Sequence, residues 1–194
     1  MNIKRLVKKT RSYRRFKENI PISIEFLEDL LDTARLCSSA RNDQPLRYML
    51  STNQKTNTDI FSTLSWAGDL NNWEGPKIGE RPSAYIVMLA DMGLNNWMLY
   101  DAGIASQTIL LQAASKGIGC CILGSVKKYE HELRVMLKIP NDYHLLSVIA
   151  LGKPSEKVVI EPMVKKNKSY YRDNQDIHHV PKRALDDIII AKYA

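Results

Sequence analysis

The sequence predicts a single domain in which helices and strands are mixed, an α/β domain. Its 194 residues, 44% of them apolar, suffice for one sizeable core and are few for two independent cores. Short apolar runs typical of buried strands alternate with segments whose apolar residues recur at helical spacing. The chain carries no internal repeat and no low-complexity tract, so residues 1–194 are treated as one domain.

The N-terminal quarter is predicted to hold two helices and a strand. Apolar residues at helical spacing indicate a short first helix that ends at an arginine-rich segment. Ser23 suits the N-cap of a second helix, whose apolar face continues to about Leu36. Residues 37–45 are small or turn-forming and predict a loop that leads into a strand over 46–51.

The middle of the chain is predicted to hold a loop, a strand and a long helix. Residues 66–82 contain prolines, glycines and two tryptophans, which indicates an irregular loop of the length found in lids. The apolar run 84–90 predicts a buried central strand. A helix that is apolar nearly all round should run from Asn95 or Asn96 to about Lys116, and a second subunit could cover part of it.

The C-terminal half is predicted to be less regular. Glycines end the long helix, and CCILG suits a short strand or extended turn. Residues 127–140 predict an amphipathic helix stopped by Pro140, and 144–151 the next strand. The segment 161–194 is too polar to hold a core alone, so we expect it to wrap along the body or along a partner.

The composition indicates the compartment in which the protein works. No run reaches the roughly 18 apolar residues of a membrane-spanning helix, and the basic start lacks the apolar core of a secretory signal. The chain has three cysteines, Cys37, Cys120 and Cys121, an odd number that cannot all pair in disulfides. The adjacent Cys120 and Cys121 are expected to be buried and structural. We therefore expect a soluble protein of the cytoplasm without a membrane partner.

The charge points to an anionic partner. The formal net charge is +7, and eight of the first 17 residues are basic while none is acidic. A second basic patch comprises Lys165, Lys166, Lys168 and Arg172. The basic residues are accompanied neither by zinc-finger spacing nor by the aromatic residues of an RNA-binding motif. A phosphorylated small molecule is therefore favoured over nucleic acid as the anionic partner.

The familiar enzyme motifs are missing. The chain has no GxGxxG loop, no phosphate-binding GxxxxGK[ST] loop and no GxSxG serine elbow. Its four histidines lack metal-ligand spacing, so no metal site is predicted, and His178 and His179 are expected on a loop surface.

Three separated segments nevertheless suit one ligand. Arg11 and Arg14 flank the hydroxyl of Ser12 and offer forked donors for a terminal phosphate. Residues 119–125 place glycines where backbone amides can approach a flat ligand closely. The third segment supplies hydroxyl and amide groups for the edge of a heteroaromatic ring: Ser38, Ser39, Arg41, Asn42 and Gln44.

The joint order of these motifs resembles the nitroreductase family. The motifs are RSYRRF, SSARNDQP, DAGIASQTILLQAASKGIGCCILGS, LGKP and YYRDNQDIHHVPKRALDDII, and they span nearly the whole chain. The resemblance implies an α+β fold with a mostly antiparallel central sheet flanked by helices. It also implies an intertwined homodimer that holds two molecules of flavin mononucleotide (FMN) at the subunit interface.

The resemblance also implies which residues bind the cofactor. Arg11, Ser12 and Arg14 match the phosphate-side motif, and Arg183, helped by Lys182, matches the basic site that closes on the same phosphate. The loop that reaches the isoalloxazine ring from the partner subunit is matched by Ser38, Ser39, Ala40, Asn42 and Gln44. The strand end against the ring is matched by Ile122, Leu123 and Gly124, with the Gly124 amide directed towards flavin N5.

Two positions depart from the family pattern. Ser38 stands where the family often has proline, and Leu46 stands where an aromatic residue often follows the Gln-Pro pair. Specificity is expected to differ, with the 66–82 loop as its source.

The implied reaction is hydride transfer from NADH or NADPH to flavin N5 and then to a small electron acceptor, such as a nitroaromatic or quinone, by a ping-pong mechanism. Since the flavin performs the redox chemistry, no catalytic side chain is predicted. Two alternatives remain open: a non-catalytic flavin-binding or sensing protein, and a basic nucleic-acid-binding protein with steeply salt-dependent binding.

Overall fold

A central antiparallel sheet organises the molecule. The computed structural model describes residues 2–70, 73–93 and 97–193. The four strands of the sheet are β1 (Leu46–Ser51), β2 (Ala84–Asp91), β3 (Gly119–Leu123) and β4 (Tyr143–Gly152). Their order is β1-β2-β4-β3, and every neighbouring pair is antiparallel. The mostly antiparallel sheet implied by the family resemblance is confirmed.

Helices cover both faces of this sheet. They are α1 (Ile3–Lys9), α2 (Ile24–Ala34), α3 (Gln54–Ser62), α4 (Met98–Ser115) and α5 (Glu130–Leu137). Strand β2 is buried over its first seven residues because alternate side chains enter two separate cores. Ile86 packs with residues of α2 and α4, whereas Tyr85 packs with residues of α3 and α5.

Local chemistry explains where the helices begin and end. The Ser23 hydroxyl accepts a hydrogen bond from the Phe26 amide at 3.2 Å, which confirms the predicted N-cap of α2. Helix α5 ends at Leu137 because Lys138 adopts the left-handed conformation, with φ of 52°. The helix thus ends three residues before Pro140, earlier than predicted. Among the described residues, no helix is long and apolar enough to cross a membrane.

The long helix α4 is only partly covered within one protomer. Its predicted start at Asn95 or Asn96 lies outside the described residues, and the helix runs from Met98 to Ser115. Its inner side is buried, but Leu99 and Tyr100 are 59% and 66% exposed. A large apolar surface on one helix thus remains accessible.

The C-terminal region folds into a second, smaller sheet. Its strands are β5 (Val158–Pro162), β6 (Tyr171–Arg172) and β7 (His178–Lys182), in the order β5-β7-β6, with β5 and β7 parallel. His178 and His179 therefore lie on a strand, and His178 is buried, so the predicted loop-surface position is wrong. Residues 183–193 follow as exposed turns and extended chain.

Candidate functional site

The arginine-rich segment lies directly on the edge of the central sheet. The Tyr13 amide donates a hydrogen bond to the Cys120 carbonyl at 2.9 Å. A Cβ atom on Gly119 would lie 2.7 Å from Cδ2 of Tyr13, and one on Gly152 would lie 2.7 Å from Cδ1 of Phe16. These two glycines pair across β3 and β4, so the segment packs against bare backbone. The arginine-rich segment and the predicted 119–125 segment are thereby brought together.

Arg11 carries an uncompensated charge at this edge. Its Nη2 donates to the Val7 carbonyl at 2.8 Å, but its buried Nε has no hydrogen-bond partner among the described residues. Burial lowers the pKa of the Arg11 guanidinium. A half-buried cation with a free N–H favours an anionic ligand.

Arg14 is held by the smaller sheet. Its Nη1 lies 3.1 Å from Nε2 of His178 and donates to the Ser12 carbonyl at 3.3 Å. The guanidinium also lies 4.7 Å above the ring centre of Tyr170. Because a guanidinium can only donate, His178 accepts at Nε2 and carries its proton on Nδ1. Burial, followed by the charges of Arg14 and Arg172, lowers the pKa of His178 to about 4.

A buried carboxylate joins the two parts of this site. Glu156 accepts from the backbone amides of Arg14 and Arg15 with Oε1, and from Nη2 of Arg172 with Oε2 at 2.8 Å. Trp73 lies beside the same cluster, with the Arg172 guanidinium 4.3 Å from its ring centre. The 66–82 loop, irregular as predicted wherever it is described, is thus tied to the smaller sheet. Arg172 is paired and is not part of an open basic patch.

Asp101 of α4 fastens the 38–44 loop to this helix. Asp101, 5% exposed, accepts from the Ser39 hydroxyl at 2.6 Å and from the Ala40 amide at 3.0 Å. The Gln44 amide donates in turn to the Ser39 hydroxyl at 2.9 Å. The loop also contains three left-handed residues, Arg41, Asn42 and Gln44. Sequence reasoning missed Asp101, although a lone carboxylate in an otherwise apolar helix was the available signal.

This loop and the sheet edge are far apart within one protomer. Asp101 is near the start of α4, whereas the Ala113 carbonyl near its end accepts from the Ile118 amide at 2.9 Å, one residue before β3. Twelve residues of helix separate the two points, which is about 18 Å along the axis. A single protomer therefore does not unite the 38–44 loop with the other two predicted segments.

The end of β3 is open, as a flat ligand requires. Ile122 is 43% exposed although Leu123 beside it is buried, and a Cβ on Gly124 would meet nothing within 4 Å. Cys120 and Cys121 are buried, as predicted, and burial raises the pKa of Cys121 to about 11.

The predicted C-terminal basic residues lie farther away. Lys182 and Arg183 are exposed at the end of β7. Lys182 is four residues beyond the His178 that contacts Arg14, which corresponds to about 13 Å along a strand. A role for these two residues at the phosphate stays a prediction.

Solved structures share this fold. A provisionally named nitroreductase from Desulfovibrio desulfuricans, in complex with FMN, is 20% identical with a TM-score of 0.72, covering 100% of this chain and 98% of that chain. An FMN-dependent nitroreductase from Clostridium difficile is 24% identical with a TM-score of 0.65, covering 78% of this chain and 87% of that chain. The molecule thus has the α+β fold of nitroreductases.

Sequence comparison identifies the family. The model of the nitroreductase family matches residues 7–153. A protein from Archaeoglobus fulgidus, provisionally named NADH dehydrogenase/NAD(P)H nitroreductase, is 30% identical over 154 residues, which cover 76% of this chain and 83% of that protein. A protein of the same name from Methanothermobacter thermautotrophicus is 27% identical over 161 residues, covering 80% of this chain and 79% of that protein. The chain belongs to the nitroreductase family.

Proposed function

We propose that the protein is an FMN-dependent oxidoreductase that passes electrons from NADH or NADPH to a small acceptor, a nitroaromatic, a quinone or a similar compound. Family membership and the names of its relatives support this assignment. The observation that carries it is the seating of Arg11 and Arg14 beside the open end of β3, where Ile122 is exposed and Gly124 leaves space.

The residues present fit FMN. The free Nε–H and uncompensated charge of Arg11 suit a terminal phosphate, and Arg14 adds a second, oriented guanidinium. The apolar surface of Ile122 and the unobstructed backbone of Gly124 suit a flat ring, and the Gly124 amide would be the donor to flavin N5.

The chain's own tasks are binding and positioning. Bound FMN supplies the two-electron chemistry. Arg11 and Arg14 would anchor the phosphate end, and the exposed edge of β3 would support the ring. We expect ping-pong kinetics, because donor and acceptor would bind at the same site one after the other.

We further propose a homodimer in which the 38–44 loop completes the partner's site. Within one protomer, Asp101, which holds this loop, and Ala113, which adjoins β3, lie about 18 Å apart along α4, and this supports the arrangement. The exposed apolar surface of Leu99, Tyr100 and Ile104 on α4 supplies an interface, and residues 161–194 would wrap the body or the partner. The three free cysteines suit a reducing compartment, and we place the enzyme in the cytoplasm.

The visible absorbance spectrum of the purified protein tests the assignment. Flavin bands that bleach on anaerobic addition of NADH or NADPH would establish a reductase and identify its donor. Bands that persist would favour the flavin-binding or sensing alternative. No bands after addition of FMN would contradict the proposal.

A further inference from the structure

A second pocket lies on the other side of the central sheet. It has a volume of about 340 Å³. It lies between α3, the start of β2 and the chain around residues 18–21. Phe61, Pro21 and Pro82 give it apolar walls, and Arg81, Ser83 and Tyr85 supply polar groups.

Three polar atoms of its lining residues are buried without partners. They are Nε of Arg81, Oγ of Ser83 and the hydroxyl oxygen of Tyr85, and none of the three has a hydrogen-bond partner within the described part of the chain. Tyr85 is 1% exposed, so its hydroxyl is withdrawn from bulk water. Leaving buried polar atoms unpaired costs about 1–3 kcal/mol for each group. A ligand with several acceptor atoms would pair them.

The guanidinium of Arg81 takes part in no ion pair within the described residues. Its guanidinium lies 4.3 Å above the ring centre of Phe61, and no ion pair joins it to a described carboxylate. Glu18 lines the same pocket, but its Oε2 accepts from the backbone amides of Gly79 at 2.5 Å and of Arg81 at 3.3 Å. Backbone donors therefore hold Oε2 of Glu18, and among the described residues Glu18 forms no ion pair with Arg81, so the Arg81 side chain can pair with an external anion.

Strand register separates this pocket from the edge of β3 used by the proposed cofactor. Tyr85 pairs with Ala150, which pairs with Cys121, and all three face the core shared with α3 and α5. Ile122 follows Cys121 and so points to the opposite face. The pocket thus provides a site of its own, whatever binds at β3.

We propose that this pocket binds a small organic carboxylate with an apolar body. The two hydroxyls and the Arg81 N–H can all donate, and a carboxylate only accepts, so the donors and acceptors match. The ring of Phe61 and the two prolines contact the apolar body. Benzoate has the required anion and size, and benzamide is its neutral counterpart.

Isothermal titration of the FMN-loaded protein with benzoate and with benzamide tests this proposal. Benzoate is expected to bind saturably and benzamide much more weakly. Arg81→Gln and Tyr85→Phe should each weaken benzoate binding by about tenfold or more, because each removes a donor to a charged group. Exposed Arg5 provides the matched control, and Arg5→Gln should bind benzoate like the wild type.

Tyr85→Phe offers a second readout without ligand. Because the hydroxyl has no protein partner in the described residues, its loss should leave the melting temperature unchanged or raise it. A fall of several degrees would show that the hydroxyl is already paired and would overturn the proposal. Absence of benzoate binding, or equal binding by wild type, Arg81→Gln and Tyr85→Phe, would overturn it as well. Flavin absorbance recorded in the same samples reports separately on the proposed oxidoreductase site.

Discussion

Nε2 of His178 lies 3.1 Å from Nη1 of Arg14, although 164 residues separate the two in sequence. This contact joins the smaller sheet to the arginine-rich segment and requires a neutral imidazole, because a protonated one could not accept the hydrogen bond. The neighbouring His179 has the opposite environment: its Nδ1 lies 2.8 Å from Glu161 and its Nε2 lies 3.1 Å from Asp173. Two adjacent histidines should therefore respond oppositely to pH.

The first prediction concerns acid stability. The folded-state pKa of His178 is about 4, below its ordinary value of 6.5, so its contribution is complete above pH 6.5 and declines as pH falls towards 4. From these values, the loss between pH 7 and pH 4.5 is roughly 2–3 kcal/mol of unfolding free energy. Urea unfolding of His178→Gln should show a correspondingly smaller decline. The exposed His131→Gln serves as control, and equal declines in all three proteins would refute this role for His178.

The second prediction has the opposite sign. Hydrogen bonds to Asp173 and then to Glu161 raise the pKa of His179 above 6.5. Its contribution is therefore complete below pH 6.5 and disappears as pH rises through the folded-state pKa. His179→Gln should lose stability relative to wild type at pH 6 but little at pH 9, as measured by thermal unfolding. A constant difference across this range would contradict the assignment.

The third prediction tests the phosphate anchor. Arg14→Ala removes a charge-assisted donor remote from the reacting end of the cofactor, so FMN should bind about tenfold to a hundredfold more weakly. Turnover of the enzyme saturated with FMN should change little. Fluorescence titration gives the affinity and steady-state kinetics give the turnover, with Arg5→Ala as control. Equal FMN affinity in Arg14→Ala and wild type would exclude Arg14 from the phosphate site.

The fourth prediction concerns the loop anchor. Asp101→Ala leaves the Ser39 hydroxyl and the Ala40 amide without their acceptor, so the 38–44 loop should lose its single conformation. Asp101→Asn keeps one acceptor oxygen and should therefore hold the loop in part. We expect FMN affinity to be highest in the wild type, lower in Asp101→Asn and lowest in Asp101→Ala. Comparable hydrogen exchange of the loop amides in all three proteins would argue against this anchoring role.

The fifth prediction tests whether the loop acts in trans. Subunits with Arg14→Ala lack the clamp, and subunits with Asp101→Ala lack the ordered loop, so homodimers of either should retain little FMN. A mixed dimer, purified with two affinity tags, contains one subunit of each variant. In one of its two sites, the intact clamp of the Asp101→Ala subunit meets the intact loop of the Arg14→Ala subunit. It should recover one strongly bound FMN. No recovery would indicate that clamp and loop act within one chain.

Much of the sheet follows from apolar runs in the sequence. The apolar run 84–90 predicts a buried strand correctly, because β2 is covered on both faces. Strand β1 also agrees with its prediction, because Pro45 and Thr52 flank a short, largely apolar segment. Placement of the Arg11 segment beside β3 was implied by resemblance to the family, since no local pattern specifies a contact between segments so far apart in sequence.

Helix α3 and the smaller sheet were not predicted, because their sequences carry only weak local signals. Helix α3 buries only Ile60, so its apolar periodicity is negligible, and its one indication is Asn53, whose side chain caps the Thr56 amide at 3.0 Å. The smaller sheet depends on backbone pairing between β5 and β7, and none of its apolar residues is fully buried. The burial of His178 and the pairing of Arg172 depend on that sheet, and local patterns could not reveal them.

Helix α4 holds the loop at one end and adjoins β3 at the other, about 18 Å away along its axis. In the proposed dimer, each complete cofactor site draws residues from two chains. Activity should therefore depend on the concentration of the protein itself: dilution below the dimer dissociation constant would release cofactor even from folded chains. Cofactor supplied in excess should in turn favour assembly, because it binds the dimer and not the separated subunits.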